Sequence, residues 1–217
     1  MKRVLVTGAT GFIGRHSLAG LLAADYEVHA VTLEPPLVDP SSVVWHRADL
    51  LDTHHIPDLL ATVRPSHLLH FAWYATPGRY WIAPENLQWV QASLGLLQAF
   101  THAGGRRVVM AGTCAEYDWN YGFCSEAITP LAPRTLYGVC KHALQMMLTS
   151  YARDKQLSSV ASFHSSRRTA CRHGGHLRRI RLELWLLFRG YHSVGAAHAV
   201  WRLQACTTDD ADSFCTG

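Results

Sequence analysis

Lysine is nearly missing from this chain. It stands at positions 2, 141 and 155, and arginine supplies the other cations. The net charge of +4 is therefore poor support for a nucleic-acid face, since GC-rich coding produces the same arginine bias; no nucleic-acid partner is expected. An apolar run long enough to span a bilayer is also missing, so no membrane partner is expected. Glycines begin at position 8, only four residues after Met1-Lys2-Arg3 with its following apolar run, too early for the core of a signal peptide. The cytoplasm is the expected compartment. The six cysteines show no paired spacing, which argues for reduced thiols against a disulfide framework. The fourteen histidines offer no i, i+4 ligand pair on a helical pattern, and no metal site is expected.

What is present is a globular composition, 48% hydrophobic over 217 residues. That suffices for one core-bearing domain and a small appendage. The most informative stretch is Thr7 to Gly14, TGATGFIG, directly after the apolar Val4-Leu5-Val6. A short β-branched run reads as a buried parallel strand. Phe12, Ile13, Leu18, Leu21 and Leu22 then recur at helical spacing. Gly8 permits a tight reversal, Gly11 lets the backbone approach a pyrophosphate, and Gly14 lets the helix pack closely on the strand. The helix N-terminus adds N–H groups and partial positive charge. The pattern predicts a bound dinucleotide.

Up to about residue 160 strands and helices alternate. Strands are expected over 27–32, 43–46, 66–72 and 107–112, with helices over 55–63, 84–102 and 133–153. This alternation predicts an α/β fold with a doubly wound parallel sheet, ligands lying at the C-terminal strand ends. Tyr137 and Lys141 fall four apart on the last helix, hence on one face. An ammonium about 4 Å from the phenol is worth roughly 4 kcal/mol at a dielectric near 20, or about three pKa units. Such a lowering would suit an acid/base near neutrality.

These motifs together resemble the extended short-chain dehydrogenase/reductases, the NAD-dependent epimerase/dehydratase family that handles nucleotide-sugars. The match is carried by TGATGFIG at 7–14, Asp49-Leu50, HLLHFAW at 67–73, the stretch 112–117 and Tyr137/Lys141. The resemblance implies a Rossmann domain over 1–158 and a nucleotide-sugar substrate. It further implies that Thr113 hydrogen-bonds the reacting sugar oxygen, Tyr137 moves the proton, and Lys141 holds the nicotinamide ribose. Gly8, Thr10, Gly11, Phe12, Ile13, Gly14, Thr32, Asp49, Leu50, Ala72 and Trp73 would join Tyr137 and Lys141 around the cofactor.

The departures are informative. Thr32 replaces the acid that would grip the adenosine ribose, with Glu34 beyond the strand end and Arg15 near by, so NAD and NADP both stay open. Cys114 and Ala115 stand where related dehydratases carry Asp-Glu, leaving epimerisation or carbonyl reduction. An asparagine common in relatives aligns with Trp89, with Asn86 as a weak substitute. After residue 158 the family pattern of a sixth strand and substrate domain is lost. Residues 167 to 181 hold six arginines, two histidines and no acid. A frameshift or aberrant splice near 158–163 is the expectation, leaving 159–217 as an atypical, poorly ordered tail and the substrate domain truncated. A sheet cut after five strands would expose an apolar edge and drive aggregation or a homodimer. The alternative to an active enzyme is a non-catalytic dinucleotide-binding remnant.

Overall fold

The structure is a computed structural model, and it describes residues 2–34, 42–120 and 129–162, the last three by backbone alone. The expectations for the tail beyond 162 lie outside the described residues.

Ten elements build the sheet and its cover. They are β1 (Lys2–Thr7), α1 (Phe12–Ala23), β2 (Tyr26–Thr32), β3 (Val43–Arg47), α2 (Ile56–Val63), β4 (His67–His70), α3 (Glu85–His102), β5 (Arg107–Ala111), α4 (Leu136–Asp154) and β6 (Ser158–Ser162). The strands form one parallel sheet in the order β3-β2-β1-β4-β5-β6. This is the doubly wound Rossmann order, and its reversal falls between β1 and β4, where such sheets hold ligands. The sheet thus has six described strands, one more than the five expected. Ser158 to Ser162 pair with Arg107 to Ala111, and that serine-rich run has too little apolar character to announce a strand.

Alternation along β1 sorts the core into two layers. Leu5 joins Ile56, Leu60, Leu68, Leu96, Leu97, Phe100, Leu144 and Leu148 under α2, α3 and α4. Val4 and Val6 point the other way, against Leu18 and Leu21 of α1. Strands covered on both faces need continuous apolar runs, which is why β1 reads as one.

Of the three imidazoles buried among these strands, His29, His67 and His70, the last two are held far below their ordinary range. Burial, helped by Arg107 and Lys2, pulls His67 down to about 4, and burial with the Lys141 charge pulls His70 down to about 3. Unfolded imidazoles take up protons near pH 6.5, so between that pH and the folded values the unfolded chain binds more protons. Stability therefore falls as pH drops through this window. His70 alone should cost on the order of 2 kcal/mol by pH 5, measurable as a lower urea midpoint at pH 5 than at pH 7.5.

Candidate active site

The turn after β1 is built as its glycines suggest. Gly8 has φ of +65°, and a Cβ there would lie 2.6 Å from the Ala72 nitrogen. Gly11 caps α1, its N–H donating to the Gly8 carbonyl at 3.0 Å. No side chain caps this helix, and Thr10, Gly11 and Phe12 are exposed while Gly14 is buried. The turn therefore keeps backbone N–H groups and space for an anion, as a pyrophosphate requires. Phe12, expected on the inward face of α1, is 49% exposed and has Arg15 over its ring.

Opposite this turn, the chain leaving β4 is tied to β1 by a buried relay. The Thr7 hydroxyl meets His70 Nδ1 at 2.7 Å, and His70 Nε2 meets Ser93 Oγ at 2.8 Å. Thr7 Oγ1 also accepts the Ala72 N–H at 3.3 Å. A neutral imidazole, as the lowered pKa dictates, links two hydroxyls without burying charge. Gly8 and Ala72 are thereby brought together. At the end of β2, the Thr32 hydroxyl is engaged locally with Glu34, donating to its carbonyl at 2.7 Å and accepting its N–H. Asp49 is exposed and accepts the Leu51 N–H, while Leu50 packs into the core.

Trp73 connects this half to the proposed chemistry. Its ring lies 4.1 Å from the Lys141 ammonium and 6.5 Å from the Tyr137 ring. Its indole N–H donates to Asn86 Oδ1 at 2.8 Å. The Asn86 amide in turn donates to the Tyr80 and Ala83 carbonyls. Asn86 is fully buried, so it fastens the loop between β4 and α3 around Trp73. Trp81 of that loop accepts the Tyr137 N–H. Asn86→Leu would remove three side-chain hydrogen bonds and orphan the Trp73 indole N–H, while the Ala83 carbonyl keeps the backbone N–H of residue 86. At roughly 1–3 kcal/mol per buried group, a loss of about 3 kcal/mol is expected. Urea unfolding with tryptophan emission would report it.

Tyr137 sits at the start of α4, where Thr135 Oγ1 caps the helix through the Gly138 N–H. The rings of Tyr80 and Trp81 lie 4.8 and 5.8 Å from its own. This enclosure pushes the phenol up to about 12; a side-chain hydrogen bond with Thr113 opposes the rise, while Cys114 and Glu116 add to it. The expected lowering by Lys141 is absent. That lysine is 6% exposed and donates to the Ala111 carbonyl at 2.9 Å. Burial brings its own pKa down to about 8, against the pull of Glu116. The i, i+4 spacing put both residues on one face, but a carbonyl and an indole hold the ammonium.

Thr113 follows β5, and its backbone N–H and hydroxyl are fixed in a capping box with Glu116. The structure thus groups Thr113, Tyr137, Lys141 and Trp73 beside the strand ends. Sequence reasoning missed His70, Ser93 and Glu116 and undervalued Asn86. Asn86 and Ser93 are seven apart, two helical turns, and both lie on the buried face of α3; that spacing was the available signal.

Residues 4–165 match the NAD dependent epimerase/dehydratase family. The chain is 28% identical to a UDP-glucose 4-epimerase of Streptomyces lividans, the match covering 73% of this chain and 50% of that protein. It is 27% identical to a GDP-mannose 4,6-dehydratase of Vibrio cholerae, over 69% of this chain and 45% of the relative. The chain spans about half the length of these relatives. Among solved structures, a Thermus thermophilus UDP-glucose 4-epimerase in complex with NAD superposes with a TM-score of 0.62 at 27% identity, covering 77% of this chain and 57% of that one. With the turn after β1 and the reversal of strand order beside it, this extended match settles the family: the chain belongs to the NAD dependent epimerase/dehydratase family.

Proposed function

We propose that this chain forms the cofactor half of an NAD(P)-dependent epimerase or ketoreductase acting on a nucleotide-sugar. The observation that carries the reading is Tyr137 at the start of α4, near enough to Thr113 for that side chain to act on its phenol, with Lys141 on the same helix. Relatives named for UDP-glucose epimerisation, some solved with NAD, support the substrate class and cofactor. The turn from Gly8 to Gly14 would hold the pyrophosphate, and Ala72 and Trp73 would flank the nicotinamide end. When bound, the cofactor supplies the hydride acceptor or donor.

The protein's own residues would manage the proton. Thr113 orients the sugar oxygen. Tyr137, held protonated by burial, is poised to donate to a carbonyl oxygen as negative charge develops there. Acting as a base requires the Lys141 charge to come nearer than its Ala111 anchor allows. Cys114 and Ala115 provide no Asp-Glu carboxyl pair for loss of water.

The test is calorimetric titration with NAD and NADP, paired with turnover of UDP- and dTDP-hexoses. Binding with turnover is expected. Binding without turnover would identify a non-catalytic dinucleotide-binding protein, and no binding would overturn both readings. A second copy of the chain is the proposed protein partner, since Leu87, Val139 and Met146 expose apolar surface on α3 and α4; light scattering reads the dimer.

A further inference from the structure

One carboxylate beside the reacting groups has no role in the chemistry proposed above. Glu116 is 2% exposed and lies in the 3-10 turn Cys114–Glu116. Its Oε1 accepts the Thr113 N–H at 2.9 Å, and the Thr113 hydroxyl accepts the Ala115 N–H at 3.2 Å. Its Oε2 faces His142 Nδ1 of α4 at 3.7 Å. That nitrogen is buried without a hydrogen-bond partner. A capping box explains the first oxygen only. It needs no burial against α4, and burying a carboxyl is costly unless its charge is matched.

We propose that Glu116 is a positioning residue: through the Thr113 N–H it fixes the hydroxyl that meets substrate, and its buried carboxylate, facing α4 across 3.7 Å at His142, places a charge beside Tyr137 and Lys141. This rests on Thr113 and Tyr137 being the reacting groups. The titratable groups around it are Cys114 on its own turn, Tyr137, Lys141 and His142 on α4, and His70 on β4 beyond Lys141.

The charges act in known directions. Burial raises Glu116 to about 7, while the Thr113 N–H and Lys141 hold it back. Its ionised form raises both Tyr137 and Lys141. Removing that charge therefore lowers both, and the proton carrier works at lower pH. Glu116→Gln keeps an acceptor for the Thr113 N–H and removes the charge. Glu116→Leu removes both.

The experiment has two arms on the full chain. In the first, carboxyl carbon NMR of protein labelled at glutamate is followed against pH without substrate. A Glu116 signal with a midpoint near neutrality, absent in Glu116→Gln, is expected. A midpoint in the ordinary carboxylate range overturns the charge role. In the second arm, the kcat/KM profile of Glu116→Gln in the sugar-oxidising direction should move to lower pH by about one unit with KM unchanged. Glu116→Leu should lose about tenfold more kcat than Glu116→Gln, through the orphaned N–H. An unmoved profile, or equal losses in the two variants, overturns the positioning role. If the wild-type chain turns over no sugar, the proposed function fails while the first arm still reads the Glu116 charge.

Discussion

Tyr137→Phe is expected to abolish turnover of a nucleotide-sugar, a fall of about 10²–10⁴-fold, while leaving NAD affinity and stability nearly unchanged. The change removes one oxygen. The ring that packs against Trp73, Tyr80 and Trp81 stays, as does the backbone N–H donated to Trp81. Loss of the phenol also releases a desolvated polar group, which offsets the lost interaction with Thr113. Steady-state rates and calorimetric NAD titration on the same preparation check both halves. Loss of NAD binding would mean the ring orders the cofactor site and the role assignment is wrong. Full turnover would mean another group carries the proton.

The raised phenol pKa sharpens this expectation. With the proton held to about 12, Tyr137 is a donor throughout the physiological range, so carbonyl reduction should show a flat dependence on its ionisation near neutrality. Sugar oxidation, the first half of an epimerisation, needs the phenolate. Its rate should climb with pH as the phenol begins to ionise, unless the bound ligands draw Lys141 off the Ala111 carbonyl. Comparing the pH profiles of the two directions therefore reports where the ammonium sits during turnover.

Much of the scaffold was legible because local signals agree with the sheet. β1 is an uninterrupted apolar run, the glycines demand a turn, and Gly104-Gly105 end α3 after His102. The proposed Thr113–Tyr137–Lys141 set was drawn from spacing and family order, and the structure gathers these residues at one end of the sheet. Three features were not legible. β6 is Ser158-Ser159-Val160-Ala161-Ser162, with little apolar pattern, and it forms through pairing to β5, a tertiary effect that no local period encodes. The inward face of α3 does not follow apolarity alone, since Leu87 looks like core yet is 54% exposed, whereas Asn86 and Ser93 look like surface yet are buried. Each of those polar residues finds a partner far away in sequence, Trp73 or His70, and burial follows the partner. Lys141 was placed on the correct face but assigned the wrong neighbour, since helical spacing fixes direction and not the acceptor a long side chain selects.

Gly14→Ala should be the most disruptive single methyl in the described fold. A Cβ at Gly14 would lie 2.1 Å from the Gly8 carbonyl oxygen, 2.7 Å from the Ala9 Cα and 2.8 Å from the Gly8 carbonyl carbon. All three are backbone atoms of the phosphate turn, so no side chain can swing aside. Either α1 lifts from the sheet or the turn opens. Lifting α1 uncovers Val4, Val6, Leu18 and Leu21, and overpacking of this severity costs about 3 kcal/mol or more. Opening the turn displaces the N–H groups from the pyrophosphate, and a tenfold loss of NAD affinity needs only about 1.4 kcal/mol. Gly20→Ala supplies the control within the same helix. A Cβ there meets nothing within 4 Å, so the methyl only restricts the unfolded chain and should stabilise by roughly 0.5–1 kcal/mol. Urea midpoints should thus move in opposite directions for the same chemical change about nine ångströms apart along the axis, with NAD affinity falling only at position 14. Equal midpoints for the two variants would mean that α1 does not depend on close approach to β1, and the turn would lose its claim to the cofactor.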